Sequence, residues 1–204
     1  MSKDELISGR DKITMDEVFR RIYEDEETEN DIPKDGFIID SNVLIKYCGE
    51  GGDVVIPDGV ISIGKDAFNG SDKLNTITIP SSVTSIGEFA FYGCGELTSV
   101  TMLSGVISIG EFAFSNCSKL TSVAVPQSVT YIGESAFFFC NDLTSAMIPS
   151  SVTTIGGNAF YFCSKLNSID YNGTVSQWNA IEKGEDWDLG TDDYVVHCTD
   201  GEIS

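Results

Sequence analysis

One pattern returns every 23 residues, and it constrains the fold more than any other feature of this chain. Leu74, Leu97, Leu120, Leu143 and Leu166 mark the period without slippage. Behind the first of them follow Ile77, Ile79, Pro80, Val83, Ile86, Gly87, Ala90, Phe91 and Cys94, and later copies keep most of these places. A fixed period of this size signals a solenoid, in which each copy forms one coil and buries its apolar face only against its neighbours. The first and last coils then need caps.

Each copy carries two apolar stretches. The first, such as Leu97 to Val100, reads as a short strand. Pro57, Pro80, Pro126 and Pro149 follow it, with Leu103 in that place once. Proline lacks an N–H and ends ladder pairing. The second stretch, Val83 to Ile86 in one copy, reads as another short extended piece. Gly87, Gly110, Gly133 and Gly156 come next and are expected to form a tight turn at positive φ. Ala-Phe and Cys complete the coil, with room for no more than a 3₁₀ piece.

The flanks differ from the repeat. Phe37, Ile39, Val43, Ile45 and Tyr47 alternate around Asp40-Ser41-Asn42, which predicts two short strands joined by a turn. A partial repeat opens at Val54 and holds Ser71 in the Cys place. Before it, Thr14 and Glu17 form a capping-box pattern, and Met15, Val18, Phe19, Ile22 and Tyr23 make one apolar stripe. That spacing predicts a helix over roughly 15–26. The expected organisation is an acidic helical segment over 1–35, a cap over 36–53, repeats over 54–165 and a second cap over 166–204.

Charge narrows the partners. Thirty-two acidic residues face twelve basic ones, a net of −20. Nucleic-acid backbones and anionic membranes require clustered Lys and Arg, so direct binding to either is disfavoured. A basic protein partner is permitted, because opposite fields speed encounter, while the same charge also serves solubility. No stretch approaches the ~20 apolar residues of a membrane span. The opening Met-Ser-Lys-Asp-Glu-Leu lacks the apolar centre of a signal peptide. As written the chain therefore reads as cytoplasmic, and a secreted or cell-surface protein without its leader would look the same.

The unit Leu-x-x-Ile-x-Ile-Pro-x-x-Val-x-x-Ile-Gly-x-x-Ala-Phe-x-x-Cys resembles the BspA-like leucine-rich repeat, and the resemblance covers about 36–203. Tyr171-Asn172-Gly173-Thr174, Gln177-Trp178, Ile181, Trp187 and Val195 to Gly201 are similar to that family's C-terminal cap, and Phe37 to Gly59 to its N-terminal cap. The resemblance implies a right-handed leucine-rich-repeat superhelix with a parallel concave sheet and a convex side of turns. It also implies adhesion or protein binding, usually at a bacterial surface; solenoid repeats themselves seldom carry chemistry, so no enzymatic activity is expected. The Asn of common leucine-rich repeats is absent. Ser82, Ser128 and Ser151 stand near its place and are expected to do part of its hydrogen bonding.

Few residues suggest chemistry. Cys94, Cys117, Cys140 and Cys163 would stack about 4.8 Å apart, a line that cannot converge on one tetrahedral metal. They read as buried free thiols, and Cys48 and Cys198 belong to different caps. His197, the only histidine, lies inside the cap pattern and reads as packing. Asp186, Asp188, Gly190, Asp192 and Asp193 only faintly resemble a calcium loop, because the Gly comes one place early and no closing Glu follows. No metal and no cofactor is expected.

Two surfaces are candidates for binding a protein, with the chain itself a monomer. One is the outward face of the strands, where Thr76, Ser99, Ser122, Ser145 and Ser168 form one column and Thr78, Thr101, Ala124, Met147 and Asp170 another. The other is the pair of variable positions before Cys, held by Phe138 and Phe139 in one copy and by Tyr161 and Phe162 in the next. Stacked coils would bring these rings into one patch, with Phe89 and Phe112 in a neighbouring column. Two readings stand for the rings, an exposed interface or a column turned to the core or under the cap. The best expectation is a non-enzymatic protein-interaction solenoid; the alternative is an acidic decoy that blocks a basic, nucleic-acid-binding protein.

Overall fold

Two ladders of short strands run the length of the repeat region. A computed structural model describes residues 33–191 and 193–204, and the helix expected over 15–26 lies outside them. Lys34–Ser204 forms one compact unit. Its narrow sheet joins a hairpin, β1 (Phe37–Asp40) and β2 (Val43–Tyr47), to two-residue strands at Ser62–Ile63, Ser85–Ile86, Ser108–Ile109, Tyr131–Ile132, Thr154–Ile155 and Glu182–Lys183. Its broad sheet runs through Gly52–Val55, Leu74–Ile79, Ser99–Met102, Ser122–Ala124, Ser145–Ile148, Ser168–Tyr171, Val195–Cys198 and Gly201–Ile203. Neighbouring coils pair in parallel at the 23-residue offset, Ile86 beside Ile109 and Val100 beside Val123. A third side, made of consecutive turns, closes each coil. The structure is thus a β-solenoid with parallel sheets.

Like residues pile into columns because the strands pair in register. Leu74, Leu97, Leu120, Leu143 and Leu166 are fully buried, as are Phe68, Phe91, Phe114, Phe137 and Phe160. The phenylalanine rings stack with centroids 4.7–5.5 Å apart. Each buried ring adds about 1.5–3 kcal/mol over its exposed state. The ends extend this column. Tyr47 stacks on Phe68 at 5.0 Å, and Trp187 meets Phe160 edge-on at 6.1 Å. Ser41 and Asn42 take positive φ in the β1–β2 turn, the two-residue form that suits strand twist.

The glycine column corrects an expectation. Gly87, Gly110, Gly133 and Gly156 do not take positive φ. A Cβ would lie 2.8 Å from the preceding coil at Gly87, 2.7 Å at Gly110, 2.5 Å at Gly133 and closer still at Gly156. These glycines allow backbones to touch. The left-handed residues stand two places later, at Asp66, Phe89, Phe112, Ser135 and Asn158, and again at Gly70, Gly93, Asn116, Phe139 and Phe162.

The second end holds one helix, α1 (Val175–Ala180), between strands. Thr174 Oγ1 accepts from Gln177 N–H while Gln177 Oε1 accepts from Thr174 N–H, a reciprocal capping box. Trp178 is buried and packs on Tyr171 and Trp187. Lys183 Nζ sits 4.6 Å over the Trp178 ring and donates to the Trp178 carbonyl at 2.7 Å. Partial burial there lowers its pKa. Among the described residues no helix is long and apolar enough to cross a membrane.

Candidate interaction surfaces

Side chains bolt each coil to the one before it. Cys94, Cys117, Cys140 and Cys163 donate through Sγ to the carbonyls of Phe68, Phe91, Phe114 and Phe137 at 3.1–3.2 Å. All six cysteines are free. Burial pushes the Cys117 and Cys140 thiols well up and the Cys163 thiol up to about 12, so these groups stay protonated at neutral pH. A protonated, buried thiol is a poor nucleophile, and the column is structural. Ser128 and Ser151 donate to the carbonyls of Val106 and Val129, as expected, whereas Ser82 Oγ is buried without a partner.

The outward face of the broad sheet forms the columns read from the sequence. Thr76, Ser99, Ser122, Ser145 and Ser168 stand side by side, ending at Val195. In the second column Thr78 neighbours Thr101, and Ala124, Met147, Asp170 and His197 follow one another. Met147 is 44% exposed between Ala124 and Asp170. His197 Nδ1 lies 3.0 Å from Glu202 Oε1 on the open surface. The first column begins with Asp53, whose carboxylate accepts from Thr76 at 2.9 Å.

The turn side carries the aromatic residues. Phe138 stacks on Tyr161 at 5.2 Å and Phe139 on Phe162 at 5.1 Å, each pair within 8° of parallel. The pairs also touch crosswise, Phe138 with Phe139 at 4.6 Å and Tyr161 with Phe162 at 4.7 Å. The result is one four-ring patch. Phe138, Phe139 and Tyr161 are half-buried, and Phe162 is 41% exposed. The inward column belongs to Phe137 and Phe160 instead. At the C-terminal side Gly190 packs so near that a Cβ would meet the Phe162 ring at 3.0 Å, while Leu189 stands 51% exposed. The cap therefore abuts the patch and leaves much of it open. Thr78, Thr101, Met147 and Asp170 lie on the other side of each coil, so the two candidate surfaces do not merge.

Two further features were not foreseen. Leu189 extends the apolar patch through the cap, because Phe162 N–H donates to the Leu189 carbonyl and aligns the turns. Ser115 and Ser135 are buried and interrupt the aromatic columns between Phe112 and Phe138. The Asp188 carboxylate is engaged by the Tyr194 hydroxyl at 2.5 Å, and burial, with that bond second, raises the tyrosine's pKa. Asp192 of the faint calcium pattern lies outside the described residues.

Residues 38–179 match a BspA type leucine rich repeat region in six copies. No curated protein matches the chain. Among solved structures, a leucine rich cell surface protein from Faecalibacterium prausnitzii A2-165 is 37% identical, with a TM-score of 0.67 over 72% of this chain and 40% of its own. A leucine rich repeat protein of T. pallidum is 28% identical, with a TM-score of 0.64 over 76% of this chain and 81% of its own. A leucine-rich repeat protein from Eubacterium ventriosum is 27% identical, with a TM-score of 0.54 over 64% and 37%. The chain thus spans less than half the length of the first and third of these proteins.

Proposed function

The chain belongs to the BspA-type leucine-rich-repeat family, and from that premise we propose that it is a non-enzymatic, monomeric protein-interaction module. Its recognition surface is the four-ring patch of Phe138, Phe139, Tyr161 and Phe162. The broad sheet, through Thr78, Thr101, Met147 and Asp170, is a secondary contact face.

One observation carries this reading. Phe139 and Phe162 take φ of 56° and 54°, at a place that other coils fill with Gly70, Gly93, Asn116 and Gly190. Left-handed backbone costs a residue with a Cβ about 1–2 kcal/mol, and Gly adopts it freely. The fold asks this position only for permissiveness. A large ring there adds strain that packing of the coil does not demand, and such strain concentrates where function uses the residue. Exposed, clustered aromatics are also the chemistry of interface hot spots. The reading as a decoy for a nucleic-acid-binding protein gains no support from the family or its relatives.

Affinity capture from a bacterial lysate, comparing the native chain with Phe139→Gly/Phe162→Gly, tests the proposal. Specific capture should drop at least about tenfold in the double variant, as loss of one hot-spot residue implies. Thr101→Glu should reduce it less. Capture that survives the double variant and is abolished by Thr101→Glu would move the site to the sheet and overturn the assignment.

A further inference from the structure

One end of the broad sheet folds back on itself and the other stops bare. At the C-terminal end Gly201–Ile203 turns antiparallel onto Val195–Cys198. At the other end Gly52–Val55 pairs only with the coil ahead of it, Asp53 to Val55 in register with Thr76 to Thr78. The ladder fixes which groups this leaves open. Inward residues bond forward, as Ile56 N–H does to the Thr78 carbonyl and Val125 N–H to the Met147 carbonyl, both at 3.0 Å. Outward residues bond backward, as Leu103 N–H does to the Ile79 carbonyl at 3.0 Å. Asp53 and Val55 are the outward residues of the first coil, so their N–H and C=O groups aim backward, and among the described residues none of the four has a partner. Pro57 follows and offers no N–H, which ends the free edge. Val55 is 64% exposed, more than any other large apolar side chain of the described residues. Asp53 is exposed as well; Thr76 Oγ1 donates to its Oδ1, and among the described residues no cation pairs with it.

We propose that this edge receives an extended segment of another protein, as a parallel strand that carries a lysine or arginine beside Asp53 and a branched apolar residue beside Val55. An open strand edge takes an extended peptide through main-chain bonds, and alternate side chains set which peptide it takes. The molecule itself supplies the precedent, since the later coils present the same backward-facing groups and a preceding strand fills them in parallel. Charge selects the occupant. Residues 34–204 contain seven lysines, no arginine and 21 carboxylates, a field that steers a basic segment to the edge and repels a second copy of the chain. Within that field the two backbone donors and two backbone acceptors decide where the segment lies, and Val55 gives its apolar residue a neighbour. The edge belongs to the first coil and the four-ring patch to the fourth and fifth, so either assignment can fail without the other.

The test is titration of the isotope-labelled full chain with the peptide acetyl-Thr-Lys-Thr-Val-Thr-amide at physiological salt, followed by NMR. Amide signals of Asp53 and Val55 should shift saturably, while those of Asp170 and His197 at the far end of the sheet stay in place. Methylating the peptide nitrogen of the threonine after valine removes the donor to the Val55 carbonyl and should weaken binding about tenfold, the scale of one lost hydrogen bond. Methylating the valine nitrogen, which faces away from the edge, should weaken it far less. Val55→Pro removes an N–H that no described residue uses, so it should weaken binding about tenfold while the urea midpoint holds. Asp53→Asn should weaken binding about threefold, the scale of one exposed ion pair, and Asp170→Asn should leave it unchanged. Full binding by Val55→Pro, or full binding of the peptide methylated after valine, would overturn the proposal. Equal weakening by Asp53→Asn and Asp170→Asn would reduce it to diffuse attraction and overturn it too. Dimerisation of the chain alone that Val55→Pro abolishes would seat a second copy on the edge and overturn the assigned occupant.

Discussion

The phenylalanines that face inward and those that stand on the turn side come from one repeat and obey different rules. Phe68, Phe91, Phe114, Phe137 and Phe160 fill their column without exception and are fully buried. Phe89, Phe112, Phe139 and Phe162 stand in columns whose other members are Asp66, Ser135, Asn158, Gly70, Gly93 and Asn116. The inward rings take ordinary backbone, as does Phe138 of the outer patch, whereas Phe89, Phe112, Phe139 and Phe162 lie at φ of 54–56°. An unbroken column records what stacking requires. A broken column with bulky residues at left-handed positions records something stacking does not require. That contrast separates the architecture of this chain from its recognition chemistry.

The strongest attempt to break the contrast is Phe114→Ala. The ring is sandwiched between Phe91 at 4.9 Å and Phe137 at 5.5 Å. Truncation should cost about 3–5 kcal/mol in urea unfolding, because the coils above and below cannot collapse into the space. A cost below about 1 kcal/mol would mean the inward column is no more structural than the outer ones.

A smaller effect distinguishes two kinds of glycine. Gly133→Ala would place a Cβ 2.5 Å from the Gly110 backbone, and the coils would have to part. It should lose about 1–3 kcal/mol to overpacking. Gly93, at φ 70° with nothing within 4 Å of an added Cβ, should lose only about 1 kcal/mol on substitution by Ala, from backbone conformation alone. Equal losses in the two unfolding curves would remove backbone contact as the reason for the Gly87–Gly156 column.

The same glycines show where sequence reasoning stops. Their spacing revealed that the position tolerates nothing larger, but positive φ and close backbone approach both demand Gly. Only the distance between coils decides, and that distance is not a local property. Leucine period, strand pairing, the Asp40–Asn42 turn and the outward columns were all legible, because in-register stacking converts sequence offset directly into neighbourhood. The short helix at Val175–Ala180 went unread although Thr174 and Gln177 carried its capping box, since six residues show little periodicity. Candidate rings could be named, but whether Phe138 or Phe137 faces inward depends on how the turns wind. That Ser115 and Ser135 break the aromatic columns follows from the 23-residue spacing, but their burial gave no signal in composition or spacing.

The smallest expected effect is the most diagnostic. In Phe139→Gly/Phe162→Gly, each site loses a partly exposed stacked ring, which destabilises by about 1–2 kcal/mol. Each also releases about 1–2 kcal/mol of left-handed strain, offset by about 0.5–1 kcal/mol of glycine backbone entropy. The terms nearly cancel, so the urea midpoint should move little, with a net change within about 1 kcal/mol per site. Phe114→Ala, removing one ring of the same chemistry 25 residues before Phe139, should cost several times more. If the outer double variant instead unfolds as readily as the core variant, the outer rings belong to the packing of the solenoid. Their strain would then be repaid by burial, and the observation that assigns them to partner recognition would lose its force.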